Sequence, residues 1–141
     1  IDDWVGRRFG RPDYVAADDP LGVATALAAY FAGDLRAIDG LPVLAGGTPF
    51  QEGVWTALRR IPAGETRSYG GFAAALGRPA AQRAVGAANG RNPIAVVVPC
   101  HRLVGSDGGL VAYGGGIARK RWLLAHEGAA VSPRAGSSGR A

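Results

Sequence analysis

The helix start and stop signals between residues 48 and 90 constrain the fold of this chain more than any other feature. Thr48-Pro49-Phe50-Gln51 has the form of a capping box with proline in the first helical turn, and the helix that follows ends near Pro62-Ala63-Gly64. Ser68 can cap a second, short helix, which Gly77-Arg78-Pro79 interrupts before a third helical run at 80–88. Two short helices around a three-residue break predict a helix-turn-helix, although plain antiparallel helix pairs use the same punctuation.

Positive charge is concentrated in the C-terminal part of the chain. Residues 1–50 contain four arginines against seven aspartates, whereas residues 51–141 contain twelve basic residues against four acidic ones. Such a field favours a polyanionic partner, nucleic acid before a membrane surface, because no basic amphipathic helix with a large aromatic face accompanies it. Taken by itself, the charge is explained equally well by a solvated, arginine-rich surface.

Composition divides the 141 residues into three parts. Asp19-Pro20 can begin a helix in the acidic part, and the stretch at 40–47, with Pro42 and paired glycines, is typical of a connector. From Ser132 onward there is no apolar pattern. We therefore expect an acidic N-terminal lobe at 1–47, a functional domain at 48–128 and a disordered tail at 129–141.

Beyond the third helix, apolar runs alternate with glycine-rich turns. Residues 94–98 predict a buried strand, and extended segments are expected at 103–104 and 110–113. Gly114-Gly115-Gly116 lacks the spacing of a nucleotide-binding loop, so it indicates close backbone approach to another ligand or a hinge. Residues 117–125 predict the last helix. The fold class that these elements predict is α/β (α+β), mainly helical, with a helix-turn-helix and a small sheet.

Pro99-Cys100-His101-Arg102 contains the only cysteine of the chain. A thiol beside a histidine is a candidate nucleophile, because the histidine can supply the base that makes a thiolate. An inert, buried cysteine explains the same residues, and on local grounds it is the favoured interpretation. One cysteine and two histidines cannot form a typical four-ligand site, so no metal is expected. A lone cysteine fits a reducing, cytoplasmic compartment, and no apolar run is long enough to span a membrane.

The third predicted helix places Arg83 among small side chains. Alanines such as Ala81 and Ala84 allow a backbone to approach a partner closely, where large polar side chains would hold it off. Alanine also simply favours helix, so a solvated Arg83 on an ordinary surface helix is the simpler interpretation without neighbouring motifs.

Eight short motifs follow one another in an order and spacing that resemble a known family. They are Phe50-Gln51, Val54-Trp55, Ser68-Tyr69, Arg83-Ala84-Val85-Gly86, Asn92-Pro93-Ile94, Pro99-Cys100-His101-Arg102, Tyr113-Gly114-Gly115-Gly116 and Leu123-Leu124-Ala125-His126-Glu127-Gly128. Together they resemble the C-terminal domain of the O6-alkylguanine-DNA alkyltransferases. The resemblance implies irreversible transfer of an alkyl group from O6-alkylguanine in double-stranded DNA to the protein's own cysteine, without a cofactor, and leaves O4-alkylthymine open as a further substrate.

The resemblance also implies catalytic roles for individual residues. Cys100 would be the nucleophile, His101 would draw off the thiol proton through a water, and Glu127 would orient His101. Tyr69 would direct its hydroxyl at N3 of the guanine, and Asn92 would tie the turn after the recognition helix to the active-site strand.

Contacts with DNA are implied in the same way. Arg83 would enter the base stack as a finger after the lesion flips out from the minor groove, and Ala81 and Asn89 would lie at the DNA surface. Tyr113 would form a pocket wall, and backbone N–H groups near Gly114 would face O6. The protein is expected to act as a monomer. The family's N-terminal lobe normally opens with a β-hairpin-rich segment, so the weak strand pattern here predicts a shortened lobe.

Two other functions remain open from the sequence. A non-catalytic protein that binds alkylated DNA is one, but relatives of that kind lack the cysteine, so Cys100 argues against it. A thiol-sensing helix-turn-helix regulator is the other. Such a regulator needs polar base-reading residues on its recognition helix, which the alanine-rich segment around Arg83 does not provide.

Overall fold

A computed structural model describes residues 2–131 of the chain. Over this range the protein consists of six α-helices, three 3-10 turns and one two-stranded sheet, which confirms the predicted fold class. Part of the predicted disordered tail, residues 132–141, lies outside the described residues. The helices are α1 (Asp2–Phe9), α2 (Val23–Phe31), α3 (Pro49–Leu58), α4 (Tyr69–Ala75), α5 (Gln82–Gly90) and α6 (Ile117–His126), and the strands are β1 (Arg67–Ser68) and β2 (Leu103–Val104).

The capping box predicted at the start of α3 is present. The Thr48 hydroxyl accepts a hydrogen bond from the backbone N–H of Gln51 at 3.2 Å, and Gln51 Oε1 accepts one from the N–H of Thr48 at 3.0 Å. Two free N–H groups at the helix start are thereby satisfied. One face of α3 is buried in the main core, and Trp55 donates its indole N–H to the carbonyl of Ala88 at 2.9 Å. This bond fixes α3 against α5.

Helices α4 and α5 form the predicted helical pair around a short break. The Ser68 hydroxyl caps α4 by accepting the N–H of Gly71 at 3.0 Å. Helix α5 begins at Gln82 rather than at residue 80, because the chain first makes a 3-10 turn at Pro79–Ala81. Phe72 of α4 and Val85 of α5 pack with α3 in the same core. Helix α5 is therefore attached to the protein through its inner face, and its outer face is exposed.

The strand predicted at 94–98 is wrong. This segment folds as a turn in which the N–H of Val98 donates to the carbonyl of Ile94 at 2.9 Å, and Val96 adopts a left-handed φ of 74°. Its apolar side chains divide between two clusters, with Val98 in the main core and Val97 in a second one. The segment makes one isolated bridge, between Ala95 and Val98, and does not join the sheet. An apolar run can be buried from two sides without forming a strand, and composition alone does not distinguish the two cases.

The sheet consists instead of β1 and β2, paired in parallel with Arg67 opposite Leu103 and Ser68 opposite Val104. The prediction of extended chain at 103–104 is therefore confirmed as a strand, whereas 110–113 lies outside any strand. Because β1 leads directly into α4 and β2 directly follows the Cys100 turn, the sheet places the start of α4 beside that turn.

The N-terminal part contains α1, which was not predicted, and α2, which begins later than expected. Asp19 caps α2, since its carboxylate accepts the N–H groups of Ala24 at 2.5 Å and Thr25 at 3.1 Å. The left-handed φ of Leu21, 61°, interrupts the helix predicted from Pro20, so α2 starts at Val23.

A second core joins the N-terminal part to the rest of the molecule. Tyr30, Ile38 and Leu41 pack there with Val97 and Leu123. In the part of the chain that the structure describes, none of the helices has the length and apolarity needed to cross a membrane.

Candidate active site

Cys100 occupies the first position of a 3-10 turn, Cys100–Arg102, that leads into β2. The turn is anchored to the core, because the N–H of Cys100 donates to the carbonyl of Val98 at 2.8 Å and Val98 itself is fully buried. The Cys100 side chain is partly exposed. Burial raises the pKa of the Cys100 thiol, while a hydrogen bond from Asn92 and the charge of Lys120 act in the opposite direction. The resting sulfur is therefore a thiol that needs a base.

His101 and Glu127 form a buried pair next to this thiol. His101 Nε2 lies 3.0 Å from Glu127 Oε2, and both side chains are closed to solvent. Burial alone would raise the pKa of Glu127, but hydrogen bonds from His101 and Arg102 outweigh it and hold the pKa at about 2. Glu127 is therefore an acceptor at neutral pH, which assigns the ring proton of His101 to Nε2.

That assignment leaves His101 Nδ1 as a lone pair. Burial lowers the pKa of His101, although Glu127 opposes the change, so the imidazole is neutral near pH 7. Among residues 2–131, no protein group makes a hydrogen bond to the buried Nδ1. Neutral His101, backed by a carboxylate and with a free lone pair, has the properties of a general base.

Two asparagines at the end of α5 fix the backbone around the thiol. Asn92 Nδ2 donates to the carbonyl of Val98 at 2.7 Å, and its Oδ1 accepts the N–H of Ile94 at 3.0 Å. Asn89 Nδ2 donates to the carbonyl of Cys100 at 3.2 Å. Asn92 thus ties α5 to the turn before Cys100 and not to a strand, which corrects the sequence expectation.

A cavity of about 560 Å³ lies beside the turn. Its lining includes four of the predicted site residues, Tyr69, Asn89, Tyr113 and Gly114, and Asn89 links it to the turn through the Cys100 carbonyl. Burial raises the pKa of Tyr69, and it raises that of Tyr113 to about 12, so both phenols are protonated at neutral pH. A Cβ at Gly115 would lie 2.8 Å from the Tyr113 ring, which explains a glycine next to that wall.

Lys120 belongs to the site and was not predicted. It is fully buried, and its ammonium donates to the carbonyl of Leu103 at 2.6 Å and to that of Val111 at 3.1 Å. Burial lowers the pKa of Lys120 to about 8. Its position three residues before Leu123, on the apolar side of α6, was a usable signal, because a lysine in an apolar stripe needs buried acceptors.

Arg102 and Tyr30 were also missed, and both contact Glu127. Arg102 donates from Nε to Oε1 at 2.9 Å and from Nη2 to Oε2 at 2.7 Å, while its Nη1 donates to the carbonyl of Ile61 at 2.5 Å. The Tyr30 hydroxyl donates to Oε2 at 2.7 Å. No sequence signal pointed to Tyr30, because its partner is 97 residues away.

The residues in and just before α5 that were expected to contact DNA are placed differently from one another: Asn89 is buried and donates to the Cys100 carbonyl, whereas Arg83 and Ala81 lie away from the buried network. Arg83 is exposed on the outer face, whereas Val85 and Ala88 face the core. Ala81 is partly exposed in the preceding turn. The structure thus brings Cys100, His101 and Glu127 together and leaves Arg83 projecting into solvent. Among residues 2–131, no group of three His, Cys, Asp or Glu side chains is arranged to hold a metal ion.

Residues 49–129 match a family model described as the DNA-binding domain of 6-O-methylguanine DNA methyltransferase. A methylated-DNA–protein-cysteine methyltransferase from Salmonella typhimurium is 60% identical over 114 residues, which cover 81% of this chain and 67% of the relative. One of the same name from Mycolicibacterium paratuberculosis is 56% identical over 106 residues, covering 75% of this chain and 64% of the relative.

Solved structures of the same family also resemble this chain. The crystal structure of Mycobacterium tuberculosis OGT in complex with DNA matches with a TM-score of 0.65 and 53% identity, covering 75% of this chain and 64% of that one. The crystal structure of an O6-methylguanine-DNA methyltransferase from Pyrococcus kodakaraensis matches with a TM-score of 0.68 and 33% identity, covering 89% of this chain and 73% of that one. The chain therefore spans about two thirds of the length of several of these proteins.

Proposed function

Since the chain belongs to the 6-O-methylguanine DNA methyltransferase family, we propose that it takes the alkyl group from O6-alkylguanine in double-stranded DNA onto Cys100. The observation that supports this most directly is the buried Glu127–His101 pair beside the chain's only cysteine. A cysteine kept for packing alone would need neither a base nor a carboxylate behind that base.

The proposed reaction begins with activation of the thiol. The proton of Cys100 Sγ passes to His101 Nδ1, through a water as the family resemblance implies. The resulting imidazolium is stabilised by Glu127, whose low pKa keeps it charged. The thiolate then attacks the alkyl carbon, so that a C–S bond forms while the bond from that carbon to guanine O6 breaks. The electron pair of the broken bond remains on the guanine.

Stabilisation of the leaving guanine is assigned to the cavity beside the turn. Tyr69 keeps its proton because burial raises its pKa, so its hydroxyl can donate to the ring as negative charge develops. Tyr113 would form a wall for the base, and the backbone N–H at Gly114 would face O6. A donor that is already in place costs no reorganisation when the charge appears.

Access to the lesion is assigned to the outer face of α5. Small residues such as Ala81 allow the helix to lie close to the duplex, and the exposed Arg83 would fill the space left by the flipped base. Asn89, buried near the end of the same helix, lines the cavity and would lie beneath the DNA surface, where it holds the Cys100 carbonyl. Contacts from the basic C-terminal part to phosphates would provide most of the affinity, which should fall as salt rises.

The product is a thioether, whose carbon–sulfur bond is not cleaved by thiol exchange as a disulfide would be. Each molecule would therefore act once. A cytoplasmic setting, where thiols stay reduced, suits a protein whose one cysteine must remain a thiol until it reacts.

The test is the intact mass of the protein after incubation with a duplex that contains a single O6-methylguanine. We expect a gain of one methylene, located on the peptide that contains Cys100, and one methyl group transferred per protein molecule. Cys100→Ser, which keeps the size of the side chain, should bind the same duplex and gain no mass. Unmodified protein after long incubation with excess lesion would overturn the proposed function.

A further inference from the structure

The N-terminal part of the chain contributes one side chain to the buried network of the active site. Tyr30, in α2, is fully buried, and its hydroxyl donates to Glu127 Oε2 at 2.7 Å. The same residue is held from its backbone, because His126 Nε2 lies 2.8 Å from the Tyr30 carbonyl oxygen. Tyr30 is therefore fixed at both its backbone and its hydroxyl.

The two oxygens of Glu127 have different partners. Oε1 accepts from Arg102 Nε at 2.9 Å. Oε2 accepts from Tyr30 Oη at 2.7 Å, from Arg102 Nη2 at 2.7 Å and from His101 Nε2 at 3.0 Å. Tyr30 thus acts on the oxygen that holds the proposed base, and it competes with His101 for the negative charge of that oxygen.

We propose that Tyr30 is a positioning residue for the alkyl transfer, which holds Glu127 Oε2 against His101 and limits the negative charge that this oxygen offers to the imidazole. The inference rests on the proposed function, because it concerns the rate at which Cys100 loses its proton. The Tyr30 hydroxyl reaches Glu127, and Tyr30 is not among the residues that line the cavity that would hold the base. It acts through Glu127.

Tyr30 can fill this role across the working pH range. Burial and the neighbouring Glu127 raise the pKa of Tyr30 far above its ordinary value, so the phenol remains a donor. Without the hydroxyl, Oε2 would keep only His101 and Arg102, and its full charge would stabilise the imidazolium better. The pKa of His101 would rise, and a protonated His101 cannot accept the proton of Cys100.

Other charged and titratable groups also face the pair, and two of them, Arg102 and Tyr113, act on Tyr30 as well. Arg102 faces both Glu127 and His101, and Lys120 from α6 acts on His101. Tyr113 feels the charges of Cys100 and Glu127. His126, the neighbour of Glu127 on α6, contacts the Tyr30 backbone and not the carboxylate.

The experiment measures the single-turnover rate constant of methyl transfer from duplex DNA as a function of pH for the native protein and for Tyr30→Phe. Phenylalanine keeps the ring and removes only the donor. We expect the acid limb of the Tyr30→Phe profile to move to higher pH by about 0.5 unit or more. The variant-to-native rate ratio should accordingly fall about threefold between about pH 8 and about pH 5.5.

The matched control is His126→Phe. It removes the hydrogen bond from His126 to the Tyr30 backbone carbonyl, keeps an aromatic ring where the His126 ring packs against Tyr30, and leaves all donors to Glu127 in place. It should lower thermal stability by an amount similar to that of Tyr30→Phe, but its rate ratio should be independent of pH. A pH-dependent ratio in Tyr30→Phe alone separates positioning of Glu127 from loss of packing.

A second substitution tests the donor without deleting it. Replacement of Tyr30 by 3-fluorotyrosine gives a more acidic phenol and a stronger hydrogen bond, so the acid limb should move to lower pH, opposite to the shift in Tyr30→Phe. The fluorotyrosine variant also tests the role of Tyr30 if Tyr30→Phe does not fold.

The outcomes distinguish the two proposals. If the native protein does not methylate Cys100 at any pH, the proposed function fails. If the native protein is active, the inference about Tyr30 is overturned by a pH-independent rate ratio in Tyr30→Phe, or by shifts of the same sign in the phenylalanine and fluorotyrosine variants.

Discussion

Arg102 and Glu127 form a two-point ion pair that is closed to solvent, with Nε to Oε1 at 2.9 Å and Nη2 to Oε2 at 2.7 Å. The pair lies directly behind His101, and the third guanidinium nitrogen, Nη1, is used by the carbonyl of Ile61. A carboxylate that is buried and paired in this way cannot be lost or left without its partner at little cost.

The first prediction concerns the stability that depends on this pair. Arg102→Met should lower the free energy of unfolding by about 3–5 kcal/mol, because it leaves the buried Glu127 charge with too few donors. Urea unfolding, monitored by circular dichroism, measures the change in the free energy of unfolding. The matched control is Arg67→Met, which removes an exposed ion pair with Glu65 at 3.0 Å and should cost less than about 1 kcal/mol. Equal losses in the two variants would contradict the prediction.

The second prediction is a loss of stability in acid that is due to Glu127. Its pKa in the folded protein is about 2, below the ordinary value of 4.5, so its contribution is complete above about pH 4.5 and is lost as the pH falls towards 2. From about pH 6 to about pH 3 the native protein should lose about 2 kcal/mol through this group. Glu127→Gln, followed by urea unfolding at each pH, should show a correspondingly smaller loss.

Glu65→Gln provides the control for that experiment, since Glu65 is about half exposed in its ion pair with Arg67. It should keep the acid dependence of the native protein. A Glu127→Gln protein that loses stability in acid as steeply as the native one would show that other carboxylates govern the transition.

The third prediction concerns the thiol and Lys120. The positive charge of Lys120 favours the thiolate form of Cys100, so Lys120→Met should slow the reaction of the thiol with iodoacetamide at pH values where the native amine is charged. Because burial lowers the pKa of Lys120 to about 8, the difference from native should be largest below that pH, where the amine is charged. Arg121→Met removes an exposed charge from the same helix and should leave the profile unchanged. Superimposed profiles for Lys120→Met and native protein would refute the prediction.

The fourth prediction separates entry into DNA from the chemical step. Arg83→Ala should slow methyl transfer from duplex DNA by about tenfold or more, because flipping costs a few kcal/mol and the variant cannot fill the vacated stack. Transfer from the free O6-alkylguanine base should be unchanged. The control for general loss of charge is Arg91→Ala, because Arg91 is exposed just beyond the other end of α5. Equal impairment of Arg83→Ala on both substrates would rule out a finger role.

Local signals in the sequence predicted the helices well. The capping box at Thr48 and the cap at Ser68 are confirmed, because each depends on residues close together in the chain. The family prediction is confirmed as well, because it depended on the order and spacing of motifs and needed no knowledge of the fold. The strand at 94–98 is wrong, since burial of an apolar run depends on which surfaces surround it. Helix α1 has no comparable signal.

The site residues also differ in whether a local sequence signal identifies them. Cys100 and His101 stand next to each other in a motif, so they could be found directly, and Glu127 followed from the family pattern. Lys120 was detectable in principle from its place in an apolar stripe. Tyr30 was not, because nothing near it in the sequence indicates a carboxylate that folding brings to it from the far end of the chain.

The Tyr30–Glu127 contact joins residues 97 positions apart and so closes one of the longest loops in the molecule. Contacts of such separation form slowly, because the chain must lose much of its freedom before they are made. During folding, Cys100 and His101 are neighbours from the start, but the carboxylate reaches the imidazole only when α6 has docked, and it gains the Tyr30 hydroxyl only when α2 has docked as well. A newly made or partly unfolded chain therefore has an ordinary thiol, and the reactive one exists only in the finished protein.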